Sequence, residues 1–544
     1  MFSIRLMIAT LLCTVLAQPS PDYRQDVSQW SGWGGSYLND RYAQNSELNS
    51  TTLKTLQQRC RYDVAVGTSA PPATQGSIAY FTTYGGLLIA YNYVDCKLVW
   101  KTNVTDIIYQ YGQPTAFQLA VISAVSRSSP QIGDGVLYIA TLIHALLLAF
   151  DPKTGKLLAT TQVHPHPYAQ LTMSPTYYNG RVFIGTSSAE ETAALLPNYT
   201  CCSFAGTFAA FSFDHSKGRF TTEWNVTLLP EPLGVDGWNG AAVWGSQPSI
   251  DSKRQQVFIA TGNTYELPDS VVACINATKD DDQDACYPED AQIQAVVALD
   301  IRTGRINWSS KQSPLQAWTA ACGVPGFTPK LPTCPADPGP DADFGMAPSF
   351  ISASHARTPN HSDVVVTGQK SGVLFAMDAA NGSVYWATLT SPDSSSNGAL
   401  TWGVAVDSEK VYFTGANPAG ISWETLPSGK NISNSAYGAV SLLNGTFLWE
   451  TSVPHNYSSL DPPTVVNDLV LVGRNYNYNG GALAPANSTG SVVILNTAGK
   501  VLQEIELDTV MWGGIAVLEK YVLFGTGYRY GSTAGAFIVY ELCD

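Results

Sequence analysis

AMDAANGSVYW, Ala376–Trp386, decides how the rest of the chain reads. An apolar run led by Ala ends in Asp, a polar turn with Gly follows, and a second β-rich run ends in Trp. That order is a hairpin, not a helix. It recurs in AFSFDHSKGRFTTEW (Ala210–Trp224), ALDIRTGRINW (Ala298–Trp308) and AVSLLNGTFLW (Ala439–Trp449). AYNYVDCKLVW (Ala90–Trp100) is a weaker copy, AFDPKTGKLLA (Ala149–Ala159) has lost its Trp, and ILNTAGKVLQ (Ile494–Gln503) is degenerate. Spaced self-similarity of this kind marks a repeat architecture.

Eight units can be counted between Ile78 and Leu542. One hairpin cannot bury both its faces, so each unit takes two further strands from the segments between signatures, and the units stack radially. The expected fold is all-β: an eight-bladed β-propeller with tryptophan-docking repeats. The stretch near Arg61–Val66 is expected to complete the last blade against Phe537–Leu542. The repeat tryptophans read as flat apolar plates between neighbouring blades, each N–H reaching a backbone carbonyl. Asp269–Gln292 and Leu315–Asp341 read as insertions on one face, where a propeller builds its site.

The net charge of −14 over 544 residues argues against nucleic acid and anionic membrane surfaces as partners. Residues 1–17 read as a secretory signal: Arg5, the apolar MIATLLCTVL, then Val15-Leu16-Ala17 for cleavage. That run is shorter than the roughly 20 residues a membrane span needs, so no anchor is expected. Residues 18–544 are expected to form one domain. Twelve Asn-X-Ser/Thr sequons, from Asn49 to Asn487, fit an exported glycoprotein. Nine cysteines remain after the signal. Cys274/Cys286 and Cys322/Cys334 would close disulfide loops of modest length, while Cys60, Cys96 and Cys543 leave one over. There is no CxxC zinc pair and no CxxCH haem site.

The signature and blade count together resemble the tryptophan-docking propellers of the pyrroloquinoline quinone (PQQ) alcohol dehydrogenases. The branch most similar is the polyvinyl-alcohol-dehydrogenase-like one, through SSAEE (Ser187–Glu191), TCCSFAG (Thr200–Gly206), GAAVWGSQPSID (Gly240–Asp251), ATGNTYELPDSVVAC (Ala260–Cys274) and GQKSGVLFAMD (Gly368–Asp378). The resemblance implies a secreted dehydrogenase that oxidises an alcohol, polymeric or secondary ones included, with PQQ and Ca2+. It passes electrons to an external cytochrome or quinone. A flat polyanionic quinone needs apolar plates, donors round its rim and a hard cation held by carboxylate and amide oxygens. A base must accept the alcohol proton.

Site residues follow from the same matching. Glu190 matches the carboxylate metal ligand, with Glu191 beside it as the rival. Asn263 matches the amide-oxygen ligand. Asp343 matches the catalytic aspartate, which also contacts metal, with Asp341 competing. Trp244 matches the floor under the quinone, and Cys201-Cys202 the vicinal disulfide over its other face, though here that pair follows the Glu blade instead of preceding the Arg contact. Arg127, Thr172, Ser187 and Lys370 match rim contacts, Arg127 and Lys370 as cations. Thr401 and Trp402 are outer candidates, and Thr68 stands where methanol-type relatives carry Glu. His164 and His166 in HPHP read as a Pro-rich surface loop. A non-catalytic binding propeller is the rival reading, and a carbohydrate lyase or hydrolase a third with no carboxylate or His spacing to support it.

Overall fold

The structure, a computed structural model, describes residues 29–543 except 45, 197, 314–316, 324–328, 336–337, 393–397, 476–487 and 529–533. The expected signal segment, Asn487 and parts of the insertion 315–341 lie outside the described residues.

Eight four-stranded antiparallel sheets form the eight blades of a β-propeller. The fifth shows the common plan. Ser349–Ile351 pairs with Val364–Gly368, which pairs with Val373–Asp378, which pairs with Val384–Leu389. Its first strand is buried throughout, whereas the last is exposed or half-buried except at Trp386. The first strand therefore faces the axis and the last faces solvent. The last blade closes the ring: Leu56–Val64 pairs with Gly535–Leu542. The closing strand thus starts and ends earlier than the sequence reading placed it.

The repeat signature has a physical explanation in contacts between blades. Trp308 Nε1 donates to Ala379 O at 3.1 Å, and Trp386 Nε1 to Leu442 O at 3.0 Å. Trp100, Trp224 and Trp449 each do the same to Pro152, Ile301 and Thr497. The Gly of the next repeat lies on the ring. A Cβ on Gly382 would come within 2.5 Å of Trp308 Cε3, and φ there is +75°. Each signature therefore reads across two blades: its Trp docks forward, and its Gly receives the Trp behind.

A segment from Trp30 to Glu47 crosses the inner strands at one end of the axis. Its backbone bonds to Thr74, Ile250, Phe350, Val406, Val465 and Glu519, residues of six different blades. At its centre Arg41, fully buried, donates to Pro463 O at 2.7 Å and to Trp33 O at 2.5 Å. Nothing periodic in the sequence announces this segment. The insertion Asp269–Gln292, expected as a loop, instead holds a helix at Asp269–Ala277 and a 3-10 stretch at Asp280–Cys286, joined by Cys274–Cys286. Cys322–Cys334 also forms. Cys60–Cys96 ties the closing strand to the first blade, and Cys543 is free and exposed.

Candidate active site

In each blade the first strand begins and the second strand ends at the same rim. Every site residue read from sequence that meets the cavity comes from those two positions. Arg127, Thr172, Trp244 and Asp343 precede first strands, and Ser187 and Lys370 follow second strands; Asn263 also follows a second strand but is buried and does not line the cavity. Short, unrelated connections from different blades thus converge on one place.

They wall a cavity of about 240 Å3 that includes Arg127, Thr172, Ser187, Trp244, Asp343 and Lys370. Past Arg127 and Thr172 it meets a narrower chamber bounded by Trp33, Trp402, Asp461 and Trp512. Trp244 and Trp402 meet edge to face, with ring centroids 5.5 Å apart. Arg127 lies over Trp402, its guanidinium carbon 5.2 Å from the ring centre. Thr172 Oγ1 and Ser187 Oγ are 2.8 Å apart, and Thr172 Oγ1 donates to Trp244 O.

The charged centre is compact. Asp343 accepts from Asn263 N at 2.6 Å and from Trp244 Nε1 at 3.1 Å. Lys370 Nζ lies 3.5 Å from Asp343 Oδ2 and donates to both oxygens of Asp341, at 2.8 and 3.0 Å. Asp341 and Asp343 are therefore not alternatives: one anchors the Lys370 ammonium, and the other faces the cavity. Gly262 permits this approach, since a Cβ there would fall 2.6 Å from Asp343 Oδ1. Burial disfavours charge on Lys370, but Asp341, Asp343 and Glu191 outweigh it and push its pKa up. Burial, together with Asp341 and Asp343, pushes the Glu191 carboxyl up, while Lys370 acts in the opposite sense.

Glu190 and Glu191 part company. Glu191 lines the cavity. Glu190 is fully buried behind it and does not line the cavity. Its Oε1 accepts from Ser203 N at 2.7 Å and from Tyr199 OH, and its Oε2 accepts from Phe204 N at 2.7 Å. Its lone pairs are engaged in clamping the loop that carries Cys201–Cys202. That pair forms a disulfide, but neither cysteine lines the cavity. The HPHP histidines are half-buried against Phe204 instead of lying in a surface loop, and His166 Nε2 meets Ser203 Oγ at 3.0 Å.

Asn263 is buried with an informative asymmetry. Its Nδ2 donates to Thr264 O at 2.8 Å and Trp318 O at 2.7 Å, while Oδ1 has no partner among the described residues. Thr68 donates to Thr82 O, and Thr401 to Gly398 O, and neither lines the cavity. Sequence reading missed Tyr84, Tyr265 and Tyr528, which complete the wall. A tyrosine carries no spacing signal of its own, so only convergence in space reveals them.

Comparison with known proteins follows the same lines. The model of the PQQ_2 family, described as outer membrane protein assembly factor BamB, matches residues 43–198 and 280–493. A polyvinylalcohol dehydrogenase of Pseudomonas sp. is 27% identical over 392 residues, covering 71% of this chain and 54% of the relative. One from Sphingopyxis sp. (strain 113P3) is 25% identical over 442 residues, covering 79% of this chain and 60% of the relative. The chain thus spans a little over half the length of these curated relatives. A quinohemoprotein alcohol dehydrogenase from Comamonas testosteroni superposes with TM-score 0.64 at 15% identity, over 95% of this chain and 80% of the other. A europium-containing methanol dehydrogenase gives 0.66 at 15% identity, over 95% and 99%. At that identity these two establish the fold.

Proposed function

The chain belongs to the PQQ_2 family of β-propellers, and from that membership we propose that it is a dehydrogenase that oxidises an alcohol with bound PQQ and a hard divalent cation, Ca2+. The observation that carries this reading is the single cavity on which Glu191, Asp343, Lys370, Trp244 and Arg127 converge.

The residues present fit the cofactors. The buried Asn263 Oδ1, left without a partner while both amide hydrogens are spent on carbonyls, supplies the kind of oxygen a hard cation takes. Glu191 and Asp343 add carboxylates on the cavity wall. We therefore assign the carboxylate ligand to Glu191 and not to Glu190, whose oxygens are occupied by donors. Trp244 offers an apolar face, Arg127 a cation with no ion pair or hydrogen bond among the described residues, and Thr172 and Ser187 hydroxyls. The Cys201–Cys202 disulfide, expected over the quinone, acts in this assignment as part of the wall behind Glu190.

PQQ, when bound, supplies a two-electron acceptor. Asp343 is the base that takes the alcohol proton on its carboxylate. Trp244 N–H and Asn263 N–H hold that carboxylate in place. Lys370, kept charged by its carboxylate neighbours, places positive charge where negative charge develops. Trp244 and Trp402 exclude water from one side.

Export and N-glycosylation belong to the same proposal, as does electron transfer to an external cytochrome or quinone. Of the sequon asparagines, Asn103, Asn198, Asn225, Asn276, Asn307, Asn360, Asn381, Asn431, Asn444 and Asn456 are exposed, and Asn49 is half-buried, which supports glycan attachment. Reconstitution tests the activity. PQQ with Ca2+ is expected to bind saturably and to give alcohol-dependent dye reduction across a panel of alcohols, lost in Asp343→Ala and Glu191→Ala. No cofactor binding under any metal would overturn the reading and leave a non-catalytic binding propeller.

A further inference from the structure

Tyr265 stands two residues after Asn263, in the connection that follows the second strand of the fourth blade. Its ring is 1% exposed, it lines the cavity with Asp343, Glu191 and Trp244, and its hydroxyl has no hydrogen-bond partner among the described residues. A buried hydroxyl without a partner is costly, and phenylalanine would fill the same space without that cost. The chain on either side is pinned. Ala241 N donates to Asn263 O at 2.8 Å, Trp318 N to Thr264 O at 3.0 Å, and Glu266 N to Asn239 Oδ1 at 2.9 Å. The ring is therefore held, and the hydroxyl cannot be relieved by a local swing.

The surroundings set what that hydroxyl can do. A phenol carries its proton at neutral pH, and this one lies on the cavity wall with Asp343 and Glu191. A protonated phenol with no protein acceptor is a donor held ready for an acceptor that enters the cavity.

We propose that Tyr265 is a catalytic hydrogen-bond donor to the oxygen of the substrate, working beside the base Asp343. The proposal rests on the alcohol-oxidising reading above. The substrate class it implies is a carbinol that still bears hydrogen on its carbon. With bound PQQ supplying the two-electron acceptor, the O–H proton would pass to the Asp343 carboxylate, the carbinol C–H hydrogen would leave with its electron pair to that acceptor, and the C–O single bond would become a carbonyl. Tyr265 keeps its own proton throughout. Its bond strengthens as negative charge builds on the oxygen, which makes it an interaction of the transition state more than of the ground state.

Tyr265→Phe, compared with the parent protein, tests this in three measurements. Without cofactor, the variant is expected to melt at a higher temperature, because an unmet buried donor is removed. Its affinity for PQQ with Ca2+, followed by cofactor absorbance, stays within about twofold of the parent. In the loaded protein kcat falls about a hundredfold with KM little changed, and calorimetric affinity for the ketone product falls about tenfold. Unchanged kcat and ketone affinity overturn the proposal. So does a parallel loss of cofactor affinity, which would make Tyr265 a support of the cofactor. If the parent itself binds no quinone, the failure lies in the alcohol-oxidising reading, and it shows before any variant is made.

Discussion

At Glu190 four donors converge on one carboxylate: Tyr199 OH, Ser203 N, Ser203 Oγ and Phe204 N. At Glu191, the next residue, the carboxyl instead faces Asp341, Asp343 and Lys370. The first carboxylate is held by protein donors, and the second lines the cavity, where the proposed reading makes it the ligand. Glu190→Ala leaves buried N–H and O–H groups without an acceptor, so it is expected to lose about 2–3 kcal/mol of stability. Glu191→Ala relieves repulsion among carboxylates and should unfold no earlier than the parent. Urea denaturation of both variants checks this, and the reverse ranking would reassign the two residues. The motif SSAEE was legible in the sequence, but which of its glutamates faces the cavity was not. That choice depends on the direction of a four-residue helix, Glu190–Ala193, against the loop around Cys201–Cys202.

Among elements, the hairpin with its Trp and Gly is the unit that repeats, and its spacing follows from the contact it makes. Trp308 fills the gap between the fourth and fifth blades, its N–H on Ala379 O and its face against Gly382. Trp308→Ala removes that plate and leaves a cavity, with an expected loss of about 3–5 kcal/mol. A loss under about 1 kcal/mol in chemical denaturation would show that blade contact is carried elsewhere. At Ala159, where the repeat has lost its Trp, the blade still forms all four strands. The sheet itself is thus built by strand pairing, and the Trp serves the seam between sheets. The hairpins were readable because their period-two pattern and turn Gly are local. The short inner strands, such as Ala405–Val406, were not, since two or three residues carry no period.

At the scale of the whole molecule, the ring is closed by strand Leu56–Val64 and fastened by Cys60–Cys96, which lie 36 residues apart. Closing a loop of that length is worth about 3–4 kcal/mol. Cys60→Ser with Cys96→Ser is therefore expected to lower stability by that order in denaturant, while the Asp343 cavity, which neither cysteine lines, keeps its cofactor affinity. Loss of cofactor binding at temperatures where the variant remains folded would show that the ring relaxes as a whole. The segment Trp30–Glu47 adds a second tie, because its backbone bonds reach six blades. Its Trp33 donates to Trp402 O at 2.6 Å, and both rings line the chamber beside Arg127.

Fold class, repeat number, ring closure and the docking of each Trp were determined by the sequence alone, because each rests on local alternation and fixed offsets that survive any choice of loop. Trp244, Asp343, Lys370, Arg127, Thr172 and Ser187 were also named from sequence, through strings that match a known family, and they share one cavity wall. Only the tertiary structure decided the rest: that Glu191 faces the cavity and Glu190 does not, that Asp341 holds Lys370, that Cys201–Cys202 lies behind the wall, and that Tyr265 presents an unpartnered hydroxyl. The physical reason is common to all four. Each depends on which way a side chain points where connections from different blades meet, and residues that meet this way are far apart in the chain.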